Sequence, residues 1–514
     1  MIRTEYKKCS SSPSSLKKVL LSYAKENELE GYGESTPTNP STSTSQSSVF
    51  VQGGRKVNHI KKLCHIILNQ TRITTTLLSL FFALTLVCDE HNLLKEKAEF
   101  FRNNQEVEKA LACYEQLITY DAHDITSLFH IGCLAIQIGQ VDKAISAFSA
   151  ILAKNPDNYH VLYNIAYCLK IAGRMDQAID TYKKVLTKNP TYHTALFGLG
   201  MTYIQQGDFT NGWHFHEFEL KKEGKNSDLL RYLLKTNTLA GKKIMLRQEG
   251  GLGDTLMFIR YAYTLKQLGA RTIVIIQKAL EPLLKLCPAI DELHVSPLSK
   301  MPACDEAATL MSLPAIFNTH PDTMSPIIPY LKADPTLIDY WREKLKHDTN
   351  FKVGICWQAN VFNDSSRPKV ARRGIPLRLF KTLAQIPGIT LYSLQQHDGV
   401  TEIAAFIRDN PLIVFDQSFD NEHGNFMDTA AVMHALDLVI SVDTVMAHLA
   451  GALNRPVWLL LPFAADWRWI IGRTDSPWYP SMTIFKQTVP LQWDSVMTDV
   501  ESKLRTLMSA KTNV

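Results

Sequence analysis

Residues of one kind return every 34 positions in the first half of this 514-residue chain. Ala110, Ala144 and Ala178 keep that step, as do Tyr114, Phe148 and Tyr182, and again Pro156 and Pro190. Ala98, Gly132, Ala166 and Gly200 fill a second small position in register. A period of this length makes each repeat a helix pair too small to bury its own apolar face, so neighbours must stack and small residues mark where helices cross. Four repeats fit residues 91–225, beginning near His91, Ile125, Tyr159 and His193. The fourth is degenerate, with Gly212 and His216 at the alanine and aromatic positions. Degeneracy is expected where a repeat docks onto another domain. Such an array leaves a concave groove suited to a peptide or partner helix. A rigid spacer or dimer surface is the competing reading.

Beyond a polar link at 226–241 the pattern changes to short apolar runs alternating with helical ones, which predicts parallel sheets. The first run, Ile244–Arg247, is followed by Gly250, Gly251, Leu252 and Gly253 and then by helical spacing over Thr255–Leu268. A strand, a glycine turn and a helix place backbone N–H groups against open space, with Asp254 in the turn. The pattern is neither GxGxxG nor GxxxxGK[ST], so neither dinucleotide nor P-loop chemistry follows. As a bare residue, Asp254 reads equally as a helix cap. Further strands are expected at 272–277, 292–296 and 308–311, and a helix at 335–346 closes residues 242–345. The pattern then restarts over 350–514, with strands at 352–357, 390–394, 412–415, 438–442 and 457–461 and a last helix from Trp493. A restart means two sheets, and ligands of such sheets bind beyond the strands' carboxyl ends.

Charge and cysteines exclude other classes. Residues 1–88 carry 11 Lys/Arg against 5 Glu, while the remaining 44 basic and 45 acidic residues nearly cancel. That near-neutral body argues against a nucleic-acid surface. Nine cysteines are scattered without a CxxC pair, so buried free thiols in a reducing compartment are expected rather than disulfides or zinc. In the tail, residues 1–90, Ser35–Ser48 has ten Ser/Thr in fourteen residues, a disordered composition. Leu77–Cys88 is a twelve-residue apolar run, short of the roughly 20 residues a spanning helix needs. An extra helix capping the repeats is expected there, with a membrane-surface anchor as the rival. A cytoplasmic location, peripheral to a membrane on the rival reading, follows.

The 34-residue period is the tetratricopeptide pattern. The GGLGDTLMFIRY block, Gly250–Tyr261, resembles the first loop of the heptosyltransferase-like glycosyltransferases (family 9-like), specifically a bacterial branch with tetratricopeptide repeats in front. The resemblance runs from about Leu94 to the C-terminus. It includes GICWQAN at Gly354–Asn360, ARRGIPL at Ala371–Leu377 and DLVISVDTVMAHLAGALNRPVWLLLP at Asp437–Pro462. It implies a GT-B fold of two facing Rossmann-like parallel sheets behind the repeat solenoid, an α + α/β architecture. It also implies sugar transfer, inverting and without a metal, from a nucleotide-diphosphate donor to an acceptor hydroxyl, with the nucleotide sugar as substrate and no cofactor. Asp254 would then be the general base. Arg373, where the heptosyltransferases have a lysine, would contact the donor diphosphate. Asp443, Thr444, Val445 and His448 would form the nucleotide side, with Gly250, Gly251, Gly253 and Asn360 as supporting loop. This chain departs from the family at Ala359 and Val361, where Gly and Pro are usual, and at Val445, where the heptosyltransferases have Gly. DWRW at Asp466–Trp469 and DSPWYP at Asp475–Pro480 look like the repeat-bearing branch, their aromatics lining a sugar or base pocket or filling an interdomain core. The competing class is a repeat scaffold with an inactive transferase-like half.

Overall fold

The computed structural model describes residues 90–222, 228–324 and 327–512. The tail, with the apolar run expected to cap the repeats, lies outside them. From 90 onward the chain forms one compact unit.

The repeats are helix pairs. Their first helices are 90–103, Ile125–Ile138, Tyr159–Ile171 and His193–Gln205, and their second helices are Val107–Tyr120, Val141–Lys154, Met175–Lys188 and Phe209–Lys222. The 34-residue alanines sit at zero exposure because two backbones approach there. At Gly132 a Cβ would stand 2.4 Å from the Phe148 ring, and at Gly212 it would stand 2.2 Å from Ile204. The degenerate fourth repeat therefore keeps its small position for the same steric reason.

The link at 226–241 is not simply polar: Asp228–Lys235 is a helix, with Leu230 and Leu233 buried in the main core. Its four leucines and one tyrosine on a short amphipathic segment outweigh the charged residues around them.

Two parallel sheets follow. The first is β3-β2-β1-β4, made of β1 Lys243–Arg247, β2 Arg271–Gln277, β3 Glu292–Ser296 and β4 Glu306–Thr309. The second is β10-β9-β8-β5-β6-β7, with β5 Phe351–Cys356, β6 Ile389–Ser393, β7 Ile413–Val414, β8 Leu438–Val442, β9 Val457–Leu461 and β10 Met482–Lys486. All ladders within them are parallel. β8 and β9 are buried along their whole length, which is why they read as unbroken apolar runs rather than alternating ones. β4 lies two residues earlier than its apolar run suggested, and β10 was not expected from the sequence: MTIFK is short and closely flanked by proline. The helix expected over Thr255–Leu268 is two, Leu252–Phe258 and Tyr261–Gln267. Arg260 sits at the break, 2% exposed, donating from Nε to the Met257 carbonyl (2.8 Å) and from Nη1 to the Trp478 carbonyl (2.9 Å).

The repeats pack on both sheet regions. Trp213 Nε1 donates to the Thr319 carbonyl at 2.7 Å on the first. On the second, Gln205 Nε2 donates to the Ala465 carbonyl and the Gln205 carbonyl accepts from Ile471 N–H, both at 2.9 Å. Val370 belongs to the repeats' own core, and Lys369 Nζ pairs with Glu108 at 2.7 Å. Trp467, Trp469, Trp478 and Tyr479 are buried, and Trp467 meets Trp213 edge-on. Trp467 and Trp478 meet Trp213 and Phe209 of the repeats, while Trp469 and Tyr479 pack on His448, the core alternative of the two readings above. Residues 369–371 and 463–471 thus lie against the carboxyl ends of the first helices and the turns that follow them, so part of the repeats' surface is covered by the chain itself. Burial there lowers the Lys170 ammonium to about 8, with Asp466 opposing.

Candidate functional site

Loops from the carboxyl ends of β1, β5, β6, β8 and β9 converge on a cavity of about 620 Å³ between the sheets. Its wall brings together Asp254, Asn360, Arg373, Asp443, Thr444 and His448, with Gly251, Gly253 and Val445. Gly250 stands one residue behind it.

On the first-sheet side, Gly250 has φ +75°, and a Cβ there would be 2.3 Å from Asp254 Oδ2. Glycine is required twice over, for the turn and for the carboxylate. Asp254 is the third residue of its helix rather than the cap. Its Oδ2 accepts the Gly251 N–H at 2.7 Å, one half of a capping box. Its Oδ1 accepts from Arg468 Nη2 at 2.5 Å, an ion pair reaching across from the second-sheet side. Gly253 touches His448: a Cβ would meet its Cδ2 at 2.6 Å, so this glycine sets how closely the helices Leu252–Phe258 and Val445–Ala452 approach.

On the second-sheet side, β8 runs into Asp443, and Thr444 caps the helix Val445–Ala452 by accepting the Met446 N–H at 3.3 Å. The first-turn N–H groups of that helix give its start a partial positive charge. Burial and the nearby Asp466 carboxylate push Asp443 above the usual carboxylate range. His448 is 4% exposed. Its Nδ1 lies 2.9 Å from the Tyr479 hydroxyl, and its Nε2 lies 3.8 Å from Asp443 Oδ1. Burial, reinforced by the Arg468 charge, takes its imidazole down to about 3. It is therefore neutral, and lies on the cavity wall against Gly253. Asn360 caps the helix Val361–Ser365 and donates from Nδ2 to Asp398 Oδ2 at 3.1 Å. The loop after β5 therefore closes without the family's Gly and Pro.

Arg373 is aimed by a residue that spacing does not reveal. Asp364, 4% exposed, accepts from the Arg373 Nε at 3.2 Å and from the Arg373 and Gly374 N–H groups. Arg373 Nη1 donates to the Asp443 carbonyl at 2.9 Å, tying the two loops together. Gln395 is a second such residue. Its Oε1 accepts the Trp357 and Gln358 N–H groups at 3.0 and 2.9 Å, and its Nε2 donates to the Asp398 carbonyl at 2.7 Å, knitting the turns after β5 and β6. The third is Arg468, which also pairs with Asp466 at 2.5 Å and stacks on the Trp467 ring. Against burial, Asp466, Asp254 and Asp443 hold it protonated above its usual value. Of DWRW, it is Asp466 and Arg468 that line the cavity, while the tryptophans are buried. Among the described residues no group of three or more His, Cys, Asp or Glu is placed to hold a metal ion.

Comparison with known proteins separates the two parts. The tetratricopeptide repeat family matches residues 129–193 and 172–211. Protein FlbA of Caulobacter vibrioides is 26% identical over 297 residues, 52% of this chain and 47% of FlbA, so the chain spans about half the length of that curated relative. The crystal structure of MamA is 16% identical, covering 27% of this chain and 77% of MamA with a TM-score of 0.25. YrrB, a repeat protein described as having an unusual peptide-binding site, is 13% identical over 35% of this chain and 85% of its own, TM-score 0.26. A glycosyl transferase family 9 structure from Veillonella parvula is 12% identical over 52% of this chain and 90% of its own, TM-score 0.37. The chain is therefore a tetratricopeptide-repeat protein in its N-terminal region, with a family 9 structural neighbour over about half its length.

Proposed function

We propose that this protein transfers a sugar from a nucleotide-diphosphate donor to an acceptor hydroxyl, in one inverting displacement. The observation that carries this reading is the cavity between the sheets. It has a carboxylate from the first side, Asp254, facing a capped helix start and Arg373 from the second. In the reaction, the Asp254 carboxylate takes the acceptor's hydroxyl proton as the oxygen bonds to the anomeric carbon. The bond to the diphosphate breaks with its electron pair, and the charge that grows on the leaving group meets the N–H groups at Thr444–Met446 and the cationic side chains around them. Those donors serve in place of a divalent ion, so transfer survives chelation by EDTA. The inner side of the repeats supplies the partner or acceptor surface where it is not occupied by the chain itself: Ile125 and Phe129 remain exposed there.

A second reading has one specific observation in its favour. Both Asp254 oxygens are already engaged, by Gly251 and Arg468, as in a carboxylate kept for structure rather than for proton transfer. On that reading the protein is a repeat scaffold with a silent transferase-like half. Incubation with a panel of nucleotide sugars, scoring donor hydrolysis and transfer, separates the two. Turnover of any donor supports the enzyme. Donor binding without turnover, across protein and lipid-linked acceptors, supports the scaffold.

A further inference from the structure

The basic stretch from Arg367 to Arg373 splits into separate environments. Lys369 is committed to Glu108 on a repeat helix. Arg372 donates from Nε to the Arg367 carbonyl (3.3 Å) and from Nη2 to the Ser365 carbonyl (3.0 Å), so it fastens the loop to itself. Arg373 is committed to Asp364 and the Asp443 carbonyl. Arg367 differs. It lines the cavity, and among the described residues its guanidinium makes no hydrogen bond and no ion pair. Its backbone is nonetheless fixed, the N–H donating to the Asp364 carbonyl at 3.1 Å and the carbonyl accepting from Arg372, with Pro368 next. An anchored cation on a cavity wall, with its N–H groups free of hydrogen bonds, is placed to take an anion.

A second observation points to the same anion. Arg468, 9% exposed and also on the wall, has a buried Nε with no hydrogen-bond partner. Both guanidiniums act on Asp466: burial pushes that carboxyl up, but Arg468 and Arg367 beside it hold it below the usual range. The helix start at Thr444 opens onto the same space.

We propose that Arg367, supported by Arg468, is the cation that grips the diphosphate of a bound nucleotide, and that Arg373 is a positioning residue that shapes the loop under it. This rests on the nucleotide-diphosphate reading above. A guanidinium presents two parallel N–H groups, the match for two oxygens of a diphosphate, and Arg367 need break no hydrogen bond to offer them. Arg373 already gives its Nε to Asp364 and its Nη1 to the Asp443 carbonyl, so it has fewer N–H groups to offer.

The test is calorimetric titration of the full chain with ADP, UDP and GDP, and with adenosine, uridine and guanosine. The wild type is expected to bind at least one diphosphate. Arg367→Ala weakens that affinity about ten- to a hundredfold, Arg367→Lys recovers part of it, and affinity for the matching nucleoside is unchanged. Melting curves of the variants stay close to the wild type, because no hydrogen bond is lost and only the through-space pull of Arg367 on Asp466 is removed. If the wild type binds a diphosphate and Arg367→Ala binds it equally well, the assignment of Arg367 is overturned while the nucleotide reading stands. If no diphosphate binds the wild type, both are overturned.

Discussion

Asp254 and Arg373 reach the same cavity by different logic, and their variants separate that logic. Asp254→Asn keeps an oxygen for the Gly251 N–H but cannot accept a proton at neutral pH. Turnover should fall about 10²–10⁴-fold with donor affinity little changed. Arg373→Ala should instead lower stability by about 1.5–3 kcal/mol, because Asp364 is left buried with only backbone donors, and donor affinity falls with the loop's disorder. Melting curves, donor titration and turnover on both variants check this; full activity in Asp254→Asn removes Asp254 from the chemistry. His448 adds a pH dependence. Its folded pKa, about 3, lies below its unfolded value near 6.5, so the unfolded chain binds the extra proton between those values. Its contribution is complete above about pH 6.5 and is lost as pH falls toward 3, at about 1.4 kcal/mol per pH unit within the window. The difference in melting temperature between pH 7 and pH 5 should shrink in His448→Gln. The positions of Asp254 and Thr444 could be read from local turn chemistry, since each sits within the strand–turn–helix that holds it. Asp364, Gln395 and Arg468 could not. Arg468 meets Asp254 across 214 residues of chain, and no local pattern encodes that meeting.

Among the elements, the short helices Leu252–Phe258 and Val445–Ala452 meet where Gly253 lies against His448. Alanine is the better helix former by about 1 kcal/mol in open solvent. Here its Cβ would enter a contact of 2.6 Å with a buried ring, so Gly253→Ala should destabilise by about 1–3 kcal/mol and lower turnover more than Asp254's own environment would explain. A raised melting temperature would show that the helices slide apart without cost. Element type was legible wherever a period held. The eight repeat helices follow from the 34-residue step, and β8 and β9 follow from unbroken apolar runs. Where one side chain overrides a period, the reading failed. Arg260 splits a helical pattern by taking the Met257 carbonyl for its own guanidinium, and a tyrosine with four leucines turns a nominal linker into the helix Asp228–Lys235.

At the scale of the molecule, the repeats are not an appendage. A fragment beginning at residue 228 would uncover the apolar surface now met by Phe209 and Trp213, including Trp478 and Trp467. It should aggregate or lose its cooperative melting transition, whereas a fragment from 76 onward should keep it. Light scattering and calorimetry of the two fragments check this, and a monomeric, cooperatively melting fragment from 228 would overturn it. The two-sheet architecture was legible because the strand pattern restarts, but the docking of repeats on sheets was not, since it depends on surfaces rather than periods. That docking has a mechanical consequence. The array is fastened to one sheet through Trp213 and Thr319 and to the other through Gln205, Val370 and Lys369. It therefore braces the two sheets against one another: any movement of one sheet relative to the other has to stretch or break one of these fastenings. By the same contacts, bending of the solenoid would pull on both sheets at once.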